Sequence, residues 1–279
     1  MTLSIRNLAL PEMAFLMEVA HKEGWNPGLY DGAAFFQSDP ESFFLAEQNG
    51  VLVGGISAHR YAADLVYVGN HFVLPPYRKK GIGKELWEYA LGLAGDISAG
   101  VSGLPEGRDF YVSYGFRPVT NIIQYSGIMF AEARSSDDIY SVHEMDFRML
   151  LQYDEDIFGF PREAFLKAWL ETPVMESVCL LKEGRIQGWG ALRRCRRGWR
   201  LGPVFAETYG FAEEIVRHLA MKTYTEWVYM DIPEDNVPAI KLAFALGMTP
   251  FGARLKMAKG KGYDESLDRV FGFTTQDCG

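Results

Sequence analysis

At 279 residues, 48% of them hydrophobic, the chain is long for one domain and too apolar to be disordered, so two domains of ordinary size are expected. A formal net charge of -8 argues against nucleic acid or an anionic membrane as the main partner, while leaving room for an anionic ligand at a locally basic site. Cys179, Cys195 and Cys278 form no CxxC pair, Glu12 stands where a signal peptide needs its apolar core, and no apolar run approaches the roughly 20 residues of a membrane span; a cytoplasmic, metal-free and disulfide-free protein is expected.

Residues 3–7 predict a short strand, and Pro11 opens a helix with Met13, Leu16, Met17 and Ala20 on one face. EGWNPGLYDG marks a loop before a short helix at 32–37. Strands at 43–47 and 51–60 flank Gln48-Asn49-Gly50, a hairpin signal. A further strand at 65–74 stops at Pro75-Pro76. RKKGIGK then opens a helix with Ile82, Leu86, Ala90 and Leu93 inward. A strand at 97–102, a helix at 106–114 ended by Gly115, and one or two strands over 116–130 complete the first half.

The polar stretch AEARSSDD, residues 131–138, is the expected linker. Beyond it the order recurs: helices at 144–152 and 162–171, strands at 177–182, 185–195 and 199–205, a helix at 209–221, a strand at 226–232, a helix at 236–246 and a last strand at 250–258. Matching halves, 1–132 and 138–279, suggest a tandem repeat of one fold.

RKKGIGK is the strongest local signal. A Walker loop would need Gly at Arg78 and Ser or Thr at Glu85, and a dinucleotide fingerprint would need Gly at Leu86. Arg78-x-x-Gly81-x-Gly83 between a strand and a helix suits a pyrophosphate held on helix N-terminal amides, with Lys79, Lys80 and Lys84 adding positive charge. A solvated, lysine-rich helix start is the competing reading.

The run Phe72-Val73-Leu74-Pro75-Pro76-Tyr77-Arg78-Lys79-Lys80-Gly81-Ile82-Gly83-Lys84 resembles the pyrophosphate loop of the GNAT superfamily of acyl-CoA-dependent N-acetyltransferases, and Tyr111-Val112-Ser113-Tyr114-Gly115-Phe116 resembles its later Tyr-x-x-x-Gly-Phe motif. EGWNPG, Tyr153-Asp154, Phe158-Gly159, Arg162, Leu201-Gly202-Pro203 and Pro233-Glu234-Asp235-Asn236 look like the two-domain bacterial group of YitH type. The resemblance implies an α/β (α+β) chain of two tandem GNAT-like domains, each a central mixed, mostly antiparallel sheet flanked by helices. It also implies acetyl-CoA as cosubstrate and a small amine as acceptor.

Each half can be tested against amine attack on a thioester, which needs phosphate donors, a polarised carbonyl and proton transfer. In the first half, Arg78 to Lys84 supply the donors and the edge of Phe72, Val73 and Leu74 can pair with pantetheine. Tyr111 is similar to the family tyrosine that meets the leaving thiolate, with a packing aromatic on an amphipathic helix as the competing reading. The second half has Ala243 at the matching position, lacks the glycine loop and carries Glu207 near it, so it is expected to cover the first half rather than bind CoA.

The base is less defined. LVYVGNHFVL holds no carboxylate, which leaves His71, or Asn70 positioning a water; a buried core histidine is the alternative. Trp25, Asn26 and Tyr30 are expected to line the acceptor pocket, with Glu23 and Asp31 attracting a cationic amine. RRCRRGWR, 193–200, reads as the solvent face of a hairpin turning at Gly198. A non-catalytic CoA sensor is the competing class. Transfer of a longer acyl group, or to oxygen, would be decided near Tyr125 and by the second domain.

Overall fold

The computed structural model describes residues 3–129, 136–260 and 264–277, so Phe130, most of the expected linker and Cys278 lie outside the described residues. The first half runs β1 (Leu3–Asn7), α1 (Met13–Lys22), α2 (Asp31–Ser38), β2 (Phe43–Gln48), β3 (Val51–Ala62), β4 (Leu65–Val73), α3 (Ile82–Ala94), β5 (Ser98–Gly103), α4 (Arg108–Ser113) and β6 (Arg117–Ile128). The second runs β7 (Ile139–Ser141), α5 (Phe147–Phe158), α6 (Glu163–Leu170), β8 (Met175–Lys182), β9 (Arg185–Arg194), β10 (Trp199–Ala206), α7 (Tyr209–Ala220), β11 (Trp227–Pro233), α8 (Val237–Ala245), β12 (Thr249–Lys259) and β13 (Val270–Gly272).

Local chemistry explains the regular parts. Asn49 and Gly50 both take positive φ, the requirement of a tight hairpin turn between β2 and β3. In α3 the buried stripe is Ile82, Leu86, Trp87, Ala90 and Ala94. Leu93, expected on that face, falls on its flank and is 45% exposed, because Trp87 extends the stripe the other way.

The strands form one sheet in the order β1-β2-β3-β4-β5-β12-β6-β11-β10-β9-β8-β7, with β13 beside β10. The late strand of each half completes the other half's sheet: β12 pairs with β5, and β6 pairs with β11. β6 and β12 join antiparallel at the centre. Hydrogen bonding therefore runs unbroken between the halves. Phe35 of α2 adds an aromatic seam, stacked on Phe165 at 5.8 Å and on Trp169 at 5.7 Å from α6.

Both halves contain the same wedge. β4 and β5 pair in parallel only from Leu65↔Ser98 to Val68↔Val101. The pairing of β3 with β4 then shifts register, Asn70 takes φ +47°, and β4 leaves β5. In the second half β10 and β11 part after Leu201↔Met230, where the β9–β10 register also shifts. There the opening is filled by the chain itself. β13 pairs with β10 at Val204↔Gly272, and the Phe273 amide donates to the Asp231 carbonyl at 2.8 Å. β7 and β13, three residues each, are too short to show a hydrophobic period and have no counterpart among the expected strands.

Candidate active site

The loop after β4 turns through Pro75–Tyr77, and Gly81 at φ +86° is the N-cap of α3. The first-turn amides of Ile82, Gly83 and Lys84 have no partner within the helix, and the helix dipole favours an anion there. A Cβ on Gly81 would meet nothing within 4 Å, so only its left-handed backbone demands glycine. A Cβ on Gly83 would make ordinary contact with His71 Nε2 and Val73 Cγ2, each at 3.5 Å. Arg78 donates from Nε to the Val73 carbonyl at 2.8 Å and from its guanidinium to Glu23, in the loop after α1. Lys80 lies over the Tyr77 ring at 5.3 Å, and Lys84 approaches Glu88 at 3.8 Å. Lys79, like Gly81, has positive φ.

A cavity of about 530 Å³ opens where β4 and β5 part, within the size range of small-molecule sites. Trp25, His71, Phe72, Val73, Arg78 and Tyr111 line it from the first half. Arg254 of β12, Gln276 and Asp277 line it from the second. Leu74 sits just outside, its amide donating to the Val53 carbonyl at 2.8 Å. Tyr111 lies against Gly103, where a Cβ would be 2.4 Å from the phenol oxygen; only glycine admits the ring. Burial raises the Tyr111 pKa, with Arg254 opposing, so the hydroxyl keeps its proton at neutral pH.

His71 and Asn70 are engaged by the protein. His71 Nε2 lies 3.0 Å from the Gly83 carbonyl, which as an acceptor fixes the ring proton on Nε2. Burial lowers the His71 pKa, partly offset by that bond. Asn70 donates to Ser57 Oγ at 3.2 Å, and its own buried Oδ1 has no hydrogen-bond partner.

Asp277 was not foreseen among the acidic candidates. Its carbonyl packs on Gly69, and its carboxylate lies near the Asn70 backbone amide. Burial pushes its pKa up to about 6, against Arg200, that amide and Arg254, while Asp31 adds to the rise. The sequence held no local signal for it: the residue is remote from β4 and follows a strand too short to recognise.

Of the expected acceptor residues, Trp25 and Glu23 line the cavity, Glu23 with its carboxylate on Arg78. Asn26 is buried with φ +50°, donating to Cys195 Sγ at 3.1 Å. Tyr30 is 40% exposed and outside the cavity, and Tyr125 is in the second half's core against Phe244, ring centres 5.6 Å apart. Asp31 does not face an amine; it is buried, accepts the Gly28 amide at 2.8 Å and pairs with Arg193 at 3.1 Å.

The arginine-rich hairpin is likewise corrected. Arg193 and Arg200 point inward, 3% and 7% exposed. Arg200 donates to the Trp25 carbonyl at 2.9 Å and pairs with Asp231, so a buried charge lattice fixes the EGWNPG loop to the second half. Arg193 of β9 and Arg200 of β10 are cross-strand partners and so share the inward face, and the partner carboxylates are too distant in sequence to be matched to them.

The corresponding features of the second half differ. Glu207 pairs with Arg269, and Thr208 caps α7 by accepting the Phe211 amide at 3.3 Å. Ala243 is buried in α8.

Comparison with known proteins agrees with this architecture. Residues 6–116 match the model of the Acetyltransferase (GNAT) family, and residues 150–272 match that of an Acetyltransferase (GNAT) domain. A candidate acetyltransferase from Pyrococcus horikoshii superposes with a TM-score of 0.83 at 19% identity, over 99% of this chain and 96% of that one. A tandem GNAT protein of the clavulanic acid pathway gives 0.63 at 17%, over 95% and 100%. A holothin acyltransferase from a Pseudoalteromonas species is 27% identical over 88% of this chain and 82% of its own. The chain belongs to the GNAT superfamily and has the tandem, two-domain architecture of acetyltransferase-like proteins. Among the described residues no helix is long and apolar enough to cross a membrane, and no group of three His, Cys, Asp or Glu is placed to hold a metal.

Proposed function

We propose that the protein is an acetyl-CoA-dependent N-acetyltransferase that passes the acyl group directly to a small amine in a ternary complex. The observation that carries this reading is the contrast between the wedges: β4 and β5 open onto a cavity beside a glycine loop, whereas β10 and β11 enclose β13. In this reading residues 1–132, completed by β12, form the catalytic domain, and 138–279 a degenerate GNAT-like domain shaping the acceptor end. The likeness to the holothin acyltransferase supports acyl transfer.

Arg78, Lys79, Lys80, Gly81, Ile82, Gly83 and Lys84 would hold the pyrophosphate, through first-turn amides and local positive charge. Main-chain groups of Phe72 and Val73 would take the pantetheine amides and polarise the thioester carbonyl, with Leu74, its amide tied to Val53, anchoring the end of that edge. Acyl-CoA supplies the activated thioester. Tyr111, protonated within the cavity, would give its proton to the departing sulfur. His71, tied to Gly83, would hold the first turn of α3 against β4, and Asn70 would shape the bulge that opens the wedge. Trp25 would wall the acceptor end.

Following CoA thiol release from acetyl-CoA across a panel of primary amines tests the reading. Amine-dependent release is expected. Binding of acetyl-CoA with no release for any amine would favour a CoA sensor instead.

A further inference from the structure

We propose that Asp277, brought into the first half's cavity by the chain segment that follows β13, is the base that accepts the proton of the acceptor amine. This rests on the reading of the site as an N-acyltransferase. β4 carries no carboxylate, and the described carboxylates lining the cavity are Glu23, Glu106 and Asp277. Glu23 is engaged by Arg78, and Glu106 is exposed at the rim. Asp277 lies at the bulge where β4 leaves β5, against Gly69 and beside the Asn70 amide.

The segment is held along its length. Phe273 packs on Gly202, where a Cβ would be 2.2 Å from its carbonyl oxygen. Arg193 donates to the Thr274 carbonyl at 3.1 Å, and Gln276 donates to Asp231 at 2.8 Å. Asp277 then packs on Gly69 in the same manner, with 2.1 Å to a Cβ there. One segment thus fills the second wedge and delivers a carboxylate to the first. The charged groups around that carboxylate are Arg200, Asp31 and Arg254. Arg200 is already paired with Asp231, and Asp31 with Arg193. With its pKa pushed up to about 6 by burial, the carboxylate is ionised at neutral pH yet more basic than a free one.

The protons balance. Asp277 takes one proton from the acceptor ammonium. The amine nitrogen bonds to the acyl carbon as the carbon–sulfur bond breaks, and Tyr111 protonates the sulfur. The second nitrogen proton returns to Tyr111, and Asp277 releases its proton to solvent.

The test compares wild type, Asp277→Asn and Asp277→Glu, using acetyl-CoA with an alkylamine active in the panel and with an arylamine, which arrives uncharged. For the alkylamine, wild-type turnover should rise through an apparent pKa near 6, and Asp277→Asn should lose about 100-fold at neutral pH together with that limb. Asp277→Glu should recover part of the loss. The arylamine should lose far less, and the melting shift given by acetyl-CoA should persist in both variants. Unchanged turnover and limb in Asp277→Asn, or equal losses for both amines, would overturn the proposal. If wild type releases no CoA with any amine, the acyltransferase reading itself fails and the proposal falls with it.

Discussion

The carbonyl of Asp277 rests on the α-carbon of Gly69, so close that a Cβ there would lie 2.1 Å from the oxygen. Residues more than two hundred positions apart thus meet at the mouth of one wedge. Gly69→Ala should push the segment out of the cavity. Turnover should fall at least about 10-fold while the acetyl-CoA melting shift stays, because the phosphate loop is untouched. Steady-state kinetics beside thermal shift would show the split.

Gly83→Glu tests the phosphate loop. The added Cβ would make only ordinary contacts, so the fold should survive, while a carboxylate at the α3 N-terminus would occupy the anion site. The acetyl-CoA melting shift should disappear with the unliganded melting temperature little changed. A retained shift would remove the loop from the donor site.

Arg78 is shared between the loop and Glu23. Both side chains are partly exposed, 46% and 31%, so the pair is worth little to stability but competes with phosphate. Glu23→Gln should tighten acetyl-CoA binding by about 2- to 5-fold at low salt, and the gain should shrink at high salt. Calorimetric titration at two ionic strengths checks both.

Tyr111→Phe should lower turnover about 10- to 100-fold with acetyl-CoA affinity within about 2-fold of wild type, since the ring stays against Gly103 and only the proton donor is lost. Unchanged turnover would leave Tyr111 a packing residue.

His59 is expected to contribute to acid lability. It is buried among Phe35, Phe43, Tyr61 and Phe165, near Ser38 and Ser42 oxygens at 3.2 and 3.3 Å, and burial lowers its pKa to about 3. Between that value and the ordinary histidine range the unfolded chain binds a proton that the folded chain refuses. Stability is therefore fully present above about pH 6.5 and is lost as pH falls toward 3, by roughly 3 kcal/mol between pH 7 and 4. His59→Gln should flatten that part of the profile in urea unfolding.

Much of the fold was legible because its signals are local. Asn49-Gly50 announced a hairpin, and the strand–glycine loop–helix junction announced α3. What was hidden is long-range: the exchange of β6 and β12, the burial of Arg193 and Arg200 under the EGWNPG loop, and the segment carrying Asp277. Asn26, Tyr30 and Tyr125 looked like acceptor residues by type alone, and type does not show which side of a loop or strand faces a cavity.

A co-crystal structure with acetyl-CoA tests the central claim most directly. One molecule per chain is expected, its pyrophosphate on the amides of Gly81 to Lys84 and its thioester between β4 and β5 near Tyr111 and Asp277. Acetyl-CoA between β10 and β11, or bound with its thioester away from that wedge, would contradict the account.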